Sequence, residues 1–475
     1  MTATFYWYDY ETFGADPRVD RPAQFAGLRT DADLNPIAAP LVRYCRPAPD
    51  CLPHPDACLI TGITPQVARR EGLPEAEFIA EINAEFSLPG TCVAGFNNLR
   101  FDDEVTRHSL YRNLLDPYAR EWRNGNSRWD IIDPLRLARA LRPEGIVWPD
   151  DATTGRPSFR LQALTAANGI AHDDAHDALA DVQATIAMAR LLRERQPRLF
   201  RFLLDHRSKQ KAADLLGLGK LTPVIHASEK FPAERHCIGV VVALARHPVH
   251  PNGIVVYDLA FDPTPLLTLD AATLRQRLYT PVADLPAGVE RLHLKTVHIN
   301  KCPVLAPLQT MRPQDGERLG LDMRRCLEHL DMLRGAPDLA AKVQQIVGGE
   351  REEVLADVAT DPDTMLYGGG FFSDRDRATL DYLRGLPPAE LGRARPVFED
   401  ERLPEMLFRY RARNYPETLD ATETARWESF RRGRLRAAQG AYEARLRELE
   451  AGPDAGPEHR RVLAELAAYL REILP

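Results

Sequence analysis

The sequence predicts a mixed α/β domain followed by a small β-barrel and then a helical domain, and three observations carry that prediction. An aromatic run from Thr4 to Gly14 has strand character, and strand and helix signals alternate after it to about residue 190. From Gly239 to Val297, apolar runs are separated by Pro, Gly and Asn turns. From Glu317 onward the pattern is mostly helical. The 475 residues exceed what one hydrophobic core usually organises. The expected boundaries are 1–194, 195–350 and 351–475.

The opening strand comes first in chain order. After it, Gln24 to Arg29 and Leu41 to Cys45 flank Asp31-Ala32-Asp33-Leu34-Asn35-Pro36, whose residue types favour a turn, so a hairpin is expected. Thr64-Pro65 starts a short helix, and Pro74 to Phe86 carries apolar residues at helical spacing. Thr91 to Phe96 reads as a buried strand that leads into Phe101-Asp102-Asp103-Glu104. Either Asp102 or Asp103 is placed to cap the helix that follows. Asn168-Gly169 ends a helix over Leu161 to Ala167, and a long amphipathic helix begins near Asp177. Farther on, Gly239 to Leu244, Ile254 to Leu259 and Leu292 to Val297 are strands, with a short helix near Ala271 to Leu278. Helices are expected over Asp322 to Arg334, Asp338 to Val347, Asp376 to Leu383, Ala421 to Glu450 and Pro457 to Ile473.

Composition bounds the function. A net charge of −7 argues against a generally basic nucleic-acid coat but not against a local basic groove. Seven cysteines, odd in number and without a Cys-x-x-Cys pair, read as reduced thiols of a cytoplasmic protein. No basic-then-apolar leader and no long apolar run is seen, so neither export nor membrane insertion is expected.

Chemistry concentrates in a few acids. Side chains two apart on a strand share a face, so Asp9 and Glu11 emerge together as a seat for a hard cation. Asp102 stands at a strand–helix junction, where sites in α/β sheets collect, although an acid there is also an ordinary cap. Asp181 falls among the apolar positions Leu179, Val182 and Ile186, where an acid is costly unless it is paired or binds metal. His176 lies five residues before it, about 140° around an ideal helix, so the two reach one site only if His176 sits on the entering loop.

Together these residues resemble the DEDDh exonuclease family, with its Asp-x-Glu on the first strand, its Asp at a later strand–helix junction and its His-x-x-x-x-Asp near the end of the domain. The phrases Asp9 to Gly14, Arg21 to Phe25, Ile60 to Pro65, Asn98 to Glu104, His298 to Pro303 and Tyr410 to Asn414 are similar to the bacterial exonuclease I branch of that family, and they span the chain. The resemblance implies a ribonuclease H-like first domain and an SH3-like barrel. It also implies processive 3′ to 5′ hydrolysis of single-stranded DNA to nucleoside 5′-monophosphates, in DNA repair and recombination. Asp9, Glu11, Asp102 and Asp181 would hold two Mg²⁺ ions, with Mn²⁺ as a substitute, and His176 would be the general base. Four carboxylates around one point repel by about 4 kcal/mol per pair at ~4 Å and an effective dielectric near 20, so such a cluster needs cations. A same-family exoribonuclease and a non-catalytic single-strand-binding module remain alternatives.

Between Arg107 and Arg136 the chain interleaves arginines with aromatic residues, a mix suited to single strands. For Trp129, beside Ile131 and Ile132, a core role is expected instead. The resemblance favours Arg107, Tyr118, Trp122, Arg136 and Arg160 as nucleic-acid contacts, with Glu11 touching the terminal nucleotide. It also implies docking of the acidic C-terminal tail of the single-stranded-DNA-binding protein, with Arg142, Arg312 and Arg334 as basic candidates, and a monomer. His293, His298 and Cys302 fit no standard zinc spacing and read as strand-lining residues. Arg409 to Tyr415 and Arg431 to Arg434 are dense enough to line the far side of a DNA channel. Because the site needs only residues 9 to 181, the later domains are expected to add phosphate contacts. A fragment of about residues 1–195 should then still trim short oligomers while releasing long strands early.

Overall fold

The computed structural model describes residues 4–172, 177–348, 361–452 and 456–474. The chain forms two compact units that are not contiguous in sequence. One comprises Met1–Ser127, His172–Gln183 and Val358–Pro475, the other Arg128–Ala171 and Ala184–Asp357. The C-terminal helices therefore share a unit with the first strands, a grouping that chain order alone does not suggest.

The first unit is built on β1 (Thr4–Thr12), β2 (Pro22–Thr30), β3 (Leu41–Tyr44) and β4 (Thr91–Gly95). They lie in the order β3-β2-β1-β4. β1 runs antiparallel to β2, from Phe5 opposite Thr30 to Glu11 opposite Gln24, and parallel to β4. The two-residue period of β1 divides its side chains between two jobs. Tyr6, Tyr8 and Tyr10 enter a core with Phe25, Phe78, Phe86 and Val93, while Asp9 and Glu11 alternate with them and share the opposite face. Helix Glu75–Phe86 begins within a residue or two of expectation, and Thr64 caps helix Pro65–Glu71 by accepting the Val67 N–H. Helices Ala421–Glu450 and Pro457–Ile473 match the expected spans. Their Tyr442, Leu446, Val462, Leu463 and Leu466 pack on Phe13, Ala23, Cys58, Ile63 and Ala68. Helix Leu403–Asn414, which the sequence reading did not find, joins Leu380 and Leu383 against Ala76, Tyr111 and Leu114.

In the second unit, β6 (Pro223–Ala227), β7 (Ile238–Arg246), β8 (Gly253–Asp258), β9 (Leu294–His298) and β10 (Val304–Pro307) follow β5 (Ser127–Asp130), the short strand on which the chain leaves the first unit. The order is β10-β6-β7-β8-β9, with every pair antiparallel. β7, β8 and β9 are the three expected strands. β6 and β10 escaped the sequence reading because each is five residues or fewer and bounded by proline, too short for periodicity to register. Val224, Val241, Ile254, Val256 and Leu305 form the core of this sheet. Trp129 is buried edge-on to Phe200, as expected for a core residue. Among the described residues no helix is long and apolar enough to cross a membrane.

Candidate active site

Glu11 is buried on β1, and Asp9, two residues earlier on the same face, stays partly exposed. Helix Ala178–Arg195 brings Asp181 to them in its first turn. Carboxylate oxygens of Asp9, Glu11 and Asp181 all lie within 4.8 Å of one another, a group that can hold a metal ion and, among the described residues, the only such group. In the second unit, His293 stacks on Phe261.

Asp102 is buried beside this group and opens helix Asp102–Arg112. It does not cap the helix, and neither does Asp103, because the N-cap position is Phe101 and no side chain fills it. The two carboxylates are engaged elsewhere. Asp102 Oδ1 accepts the Tyr10 N–H of β1 at 3.2 Å. Asp103, fully buried, accepts from Tyr8 Oη at 2.9 Å and from Arg120 Nη2 at 2.7 Å. Adjacent acids thus do different work: Asp103 is neutralised by an arginine and locks the helix to β1, whereas Asp102 is aimed at the cluster.

The electrostatics of the cluster are those of crowded like charges. Burial and the charges of Asp102, Glu11 and Asp181 hold the Asp9 carboxyl well above the usual carboxylate range. Burial, then Asp181 and Asp102, push Glu11 up to about 8. Asp50 shows the contrast: burial alone would raise it, but Arg413, Arg21 and Arg434 override that and hold it at about 2. A cluster of carboxylate oxygens that raise one another's pKa values suits a hard divalent cation.

His176 lies outside the described residues. The structure instead shows His172 Nε2 at 2.5 Å from Asp181 Oδ1, its side chain almost wholly buried. The sequence reading missed His172 because nine residues of loop and helix separate the pair, a spacing with no periodic signature. Asp177 Oδ1 accepts the N–H groups of Leu179 and Ala180 and so starts the helix that carries Asp181.

The expected nucleic-acid contacts differ in availability. Trp122 is 64% exposed, Arg160 is exposed at the start of helix Leu161–Ala167, and Tyr118 is half-buried. Arg107 is buried and holds Glu121 and Glu104, each at 2.7 Å. Arg136 is buried against Phe159 and bonds Asp133 at 2.6 Å. In the second unit, Arg142 donates to Thr310 O, Arg312 to Glu144 and Arg334 to Asp331 and Leu221 O. Burial and the adjacent Arg312 charge lower the pKa of Arg142, so two of the three basic candidates stand close together.

Arg409, Arg411 and Arg413, expected to line the far side of a DNA channel, are held by carboxylates of their own unit. Arg409 bonds Asp361, Asp363 and Glu405, and Arg411 pairs with Glu423. Arg413 pairs with Asp50 at 2.8 Å and Asp363 at 2.6 Å. Arg431 and Arg434 are likewise engaged, with Glu428 and Asp50.

Comparison with known proteins gives three family matches in chain order: Exonuclease over residues 6–189, Exonuclease I SH3-like domain over 207–348 and Exonuclease I C-terminal domain over 360–473. Exodeoxyribonuclease I of Escherichia coli (strain K12) is 50% identical over 430 residues, 90% of this chain and 89% of that protein. The structure of a moderately thermophilic Exonuclease I from Methylocaldum szegediense is 60% identical, with a TM-score of 0.95 and full coverage of both chains. E. coli Exonuclease I in complex with a dA16 oligonucleotide is 47% identical with a TM-score of 0.95, covering 99% of this chain and 100% of that one. The SSB/Exonuclease I complex with inhibitor CFAM is 46% identical, with a TM-score of 0.90 and full coverage of both chains.

Proposed function

The chain belongs to the exonuclease I family, and from that membership we propose that it is a processive 3′ to 5′ exodeoxyribonuclease that degrades single-stranded DNA to nucleoside 5′-monophosphates in DNA repair and recombination. The observation that carries the reading is the convergence of Asp9, Glu11 and Asp181 within 4.8 Å, with Asp102 beside them raising their pKa values. Asp9, Glu11 and Asp181 would hold the metal, with Asp102 as a further ligand, direct or through water. When bound, two Mg²⁺ ions would neutralise the acids and favour charge build-up on both the attacking and the leaving oxygen of an in-line displacement.

The remaining work falls to the chain's own side chains. Glu11, at the inner end of the pair, orients the terminal nucleotide. His176 takes the proton of the attacking water, a role that needs an imidazole neutral near pH 7. His172 holds Asp181 by its Nε2 contact and so fixes one carboxylate of the set. Trp122 and Tyr118 offer aromatic faces to bases, and Arg160 an exposed charge to phosphate. Arg107 and Arg136 act on the strand only where their carboxylate partners leave donors to spare. The reading includes a cytoplasmic site of action, in keeping with seven free cysteines. It also includes capture of the acidic tail of the single-stranded-DNA-binding protein by Arg142, Arg312 and Arg334, supported by the adjacent charges of the first two.

The test is digestion of 5′-labelled DNA and RNA single strands of one sequence with Mg²⁺ present. Stepwise loss of 3′ nucleotides from DNA, abolished by chelator, is expected; preference for RNA would move the chain to an exoribonuclease, and binding without cleavage to a tracking module. In the same assay His176→Ala is expected to lower turnover by roughly 10²–10⁴-fold with DNA affinity nearly unchanged, and near-normal turnover would remove the base assignment.

A further inference from the structure

Three carboxylates stand within 4.8 Å of one another in the metal-binding group, and like charges at that range push apart. Two of them, Asp9 and Glu11, are fixed by the ladder of β1, whereas Asp181 arrives on a separate helix, Ala178–Arg195. His172 Nε2 holds the Asp181 carboxylate itself. The backbone from which that carboxylate springs depends on what ties the start of the helix to the sheet.

Gln24 supplies such a tie. On β2 it stands directly opposite Glu11 in the antiparallel register, so the two side chains share a face at a Cβ separation of about 5 Å. The neighbouring pair, Tyr10 and Phe25, points the other way into the aromatic core. The pairing slips just after Glu11, where Thr12 lies opposite Pro22, and a bulge of this kind re-aims a side chain beside a site. Gln24 is only 3% exposed, and an amide so buried is costly unless it is hydrogen-bonded. Its Oε1 accepts the N–H of Ala178, the first residue of the helix, at 3.4 Å. The first N–H groups of a helix have no partner within it, so this acceptor is a cap supplied by the sheet. Asp177 Oδ1 takes the next two N–H groups, of Leu179 and Ala180, and the Asp181 N–H closes the turn on Asp177 O at 3.1 Å. Ala178 and Asp181 are one turn apart, about 4.5 Å of rise, so a hold on the first fixes the height of the second.

We propose that Gln24 is a positioning residue that latches the Asp181 helix to the sheet beside Glu11, holding the third carboxylate at metal-binding distance before a cation arrives. Its part is indirect, through the helix start. A neutral amide does this without adding a charge to a crowded group, as a glutamate would, and without drawing a ligand carboxylate into a salt bridge, as an arginine would. The inference rests on the assignment of Asp9, Glu11 and Asp181 as metal ligands.

The experiment titrates Mg²⁺ into the full-length protein, free of metal and DNA, by calorimetry. Gln24→Met keeps the length of the side chain and removes the acceptor; Ala178→Pro removes the donor at the one helix position where proline is favoured. Each is expected to raise the Mg²⁺ dissociation constant about five-fold, the size of effect that loss of one cap acceptor carries. Each should shift the Mg²⁺ midpoint of cleavage by the same factor, regain its turnover at saturating Mg²⁺, and bind single-stranded DNA in chelator as wild type does. In the metal-free wild type, the Ala178 amide should be protected from hydrogen exchange, a measurement that needs no variant. Unchanged Mg²⁺ affinity in either folded variant, even with a lowered Tm, overturns the latch and leaves Gln24 a structural cap. Free exchange of the Ala178 amide overturns it as well. Failure of the wild type to bind Mg²⁺ at all removes the ligand assignment on which the inference rests.

Discussion

Glu11 and Asp9 were legible as a pair because a strand's two-residue period is a geometric certainty, but their protonation was not, since it depends on what surrounds them. Glu11 is raised from 4.5 to about 8, and Asp9 is raised in the same direction. A carboxyl whose pKa is higher in the fold than in the unfolded chain favours the fold while protonated, and that contribution is lost as pH rises from about 4.5 through about 8. The metal-free protein should therefore lose stability across this window. A cation takes over the protons' part, so the rise in Tm produced by Mg²⁺ is expected to be larger at pH 9 than at pH 6. Thermal melts at both pH values, with and without Mg²⁺, check this; a Mg²⁺ effect of equal size at the two would contradict the assignment of these acids as ligands. Other residues were illegible for a related reason. The sequence shows that Arg107 and Arg136 are charged, but not that Glu121, Glu104 and Asp133 already hold them. His172 was passed over because only the fold brings it to Asp181.

At the scale of elements, strong periodicity was read correctly and short or charge-rich segments were not. The two long C-terminal helices match their expected spans, since thirty and seventeen residues leave no doubt about period. Helix Leu403–Asn414 was read as a basic patch because its arginines dominate the composition, yet Met406, Leu407 and Tyr410 pack into the core. Its arginines follow them inside. Arg413 and its partners Asp50 and Asp363 are all buried, so Arg413→Ala leaves two carboxylates in a low-dielectric interior with less compensation. The expected cost is about 3 kcal/mol, read as a lower urea midpoint at unchanged slope. A phosphate contact would behave differently, reducing the dependence of DNA binding on salt by about one unit. If folded Arg413→Ala keeps its stability but loses salt dependence, the helix is part of the DNA path after all.

For the whole molecule, chain order suggested that a nuclease of about 195 residues precedes two accessory domains, so that truncation would cost grip on the strand and not integrity. The packing argues otherwise. Phe13 follows the acid-bearing strand, Ala23 lies on its partner β2, Cys58 and Ala68 lie on helices Pro55–Thr61 and Pro65–Glu71 with Ile63 between them, and all five are buried against helices more than 350 residues later in the chain. Ala76, Tyr111 and Leu114 are covered in the same way by Leu380, Leu383, Leu403 and Met406. Removing those helices exposes two apolar faces at once, at roughly 25 cal/mol for each Å² returned to water, while Asp50 loses Arg413 and Arg434 together. Marginal stability of about 5–15 kcal/mol does not absorb such losses. A fragment of residues 1–195 is therefore expected to lack a cooperative thermal transition and to bind a hydrophobic dye, and to regain both fold and cleavage only when residues 358–475 are co-expressed with it. Cooperative melting and stepwise digestion by the 1–195 fragment alone would show that the nuclease core is complete without the C-terminal helices, and that their contribution is confined to holding the strand.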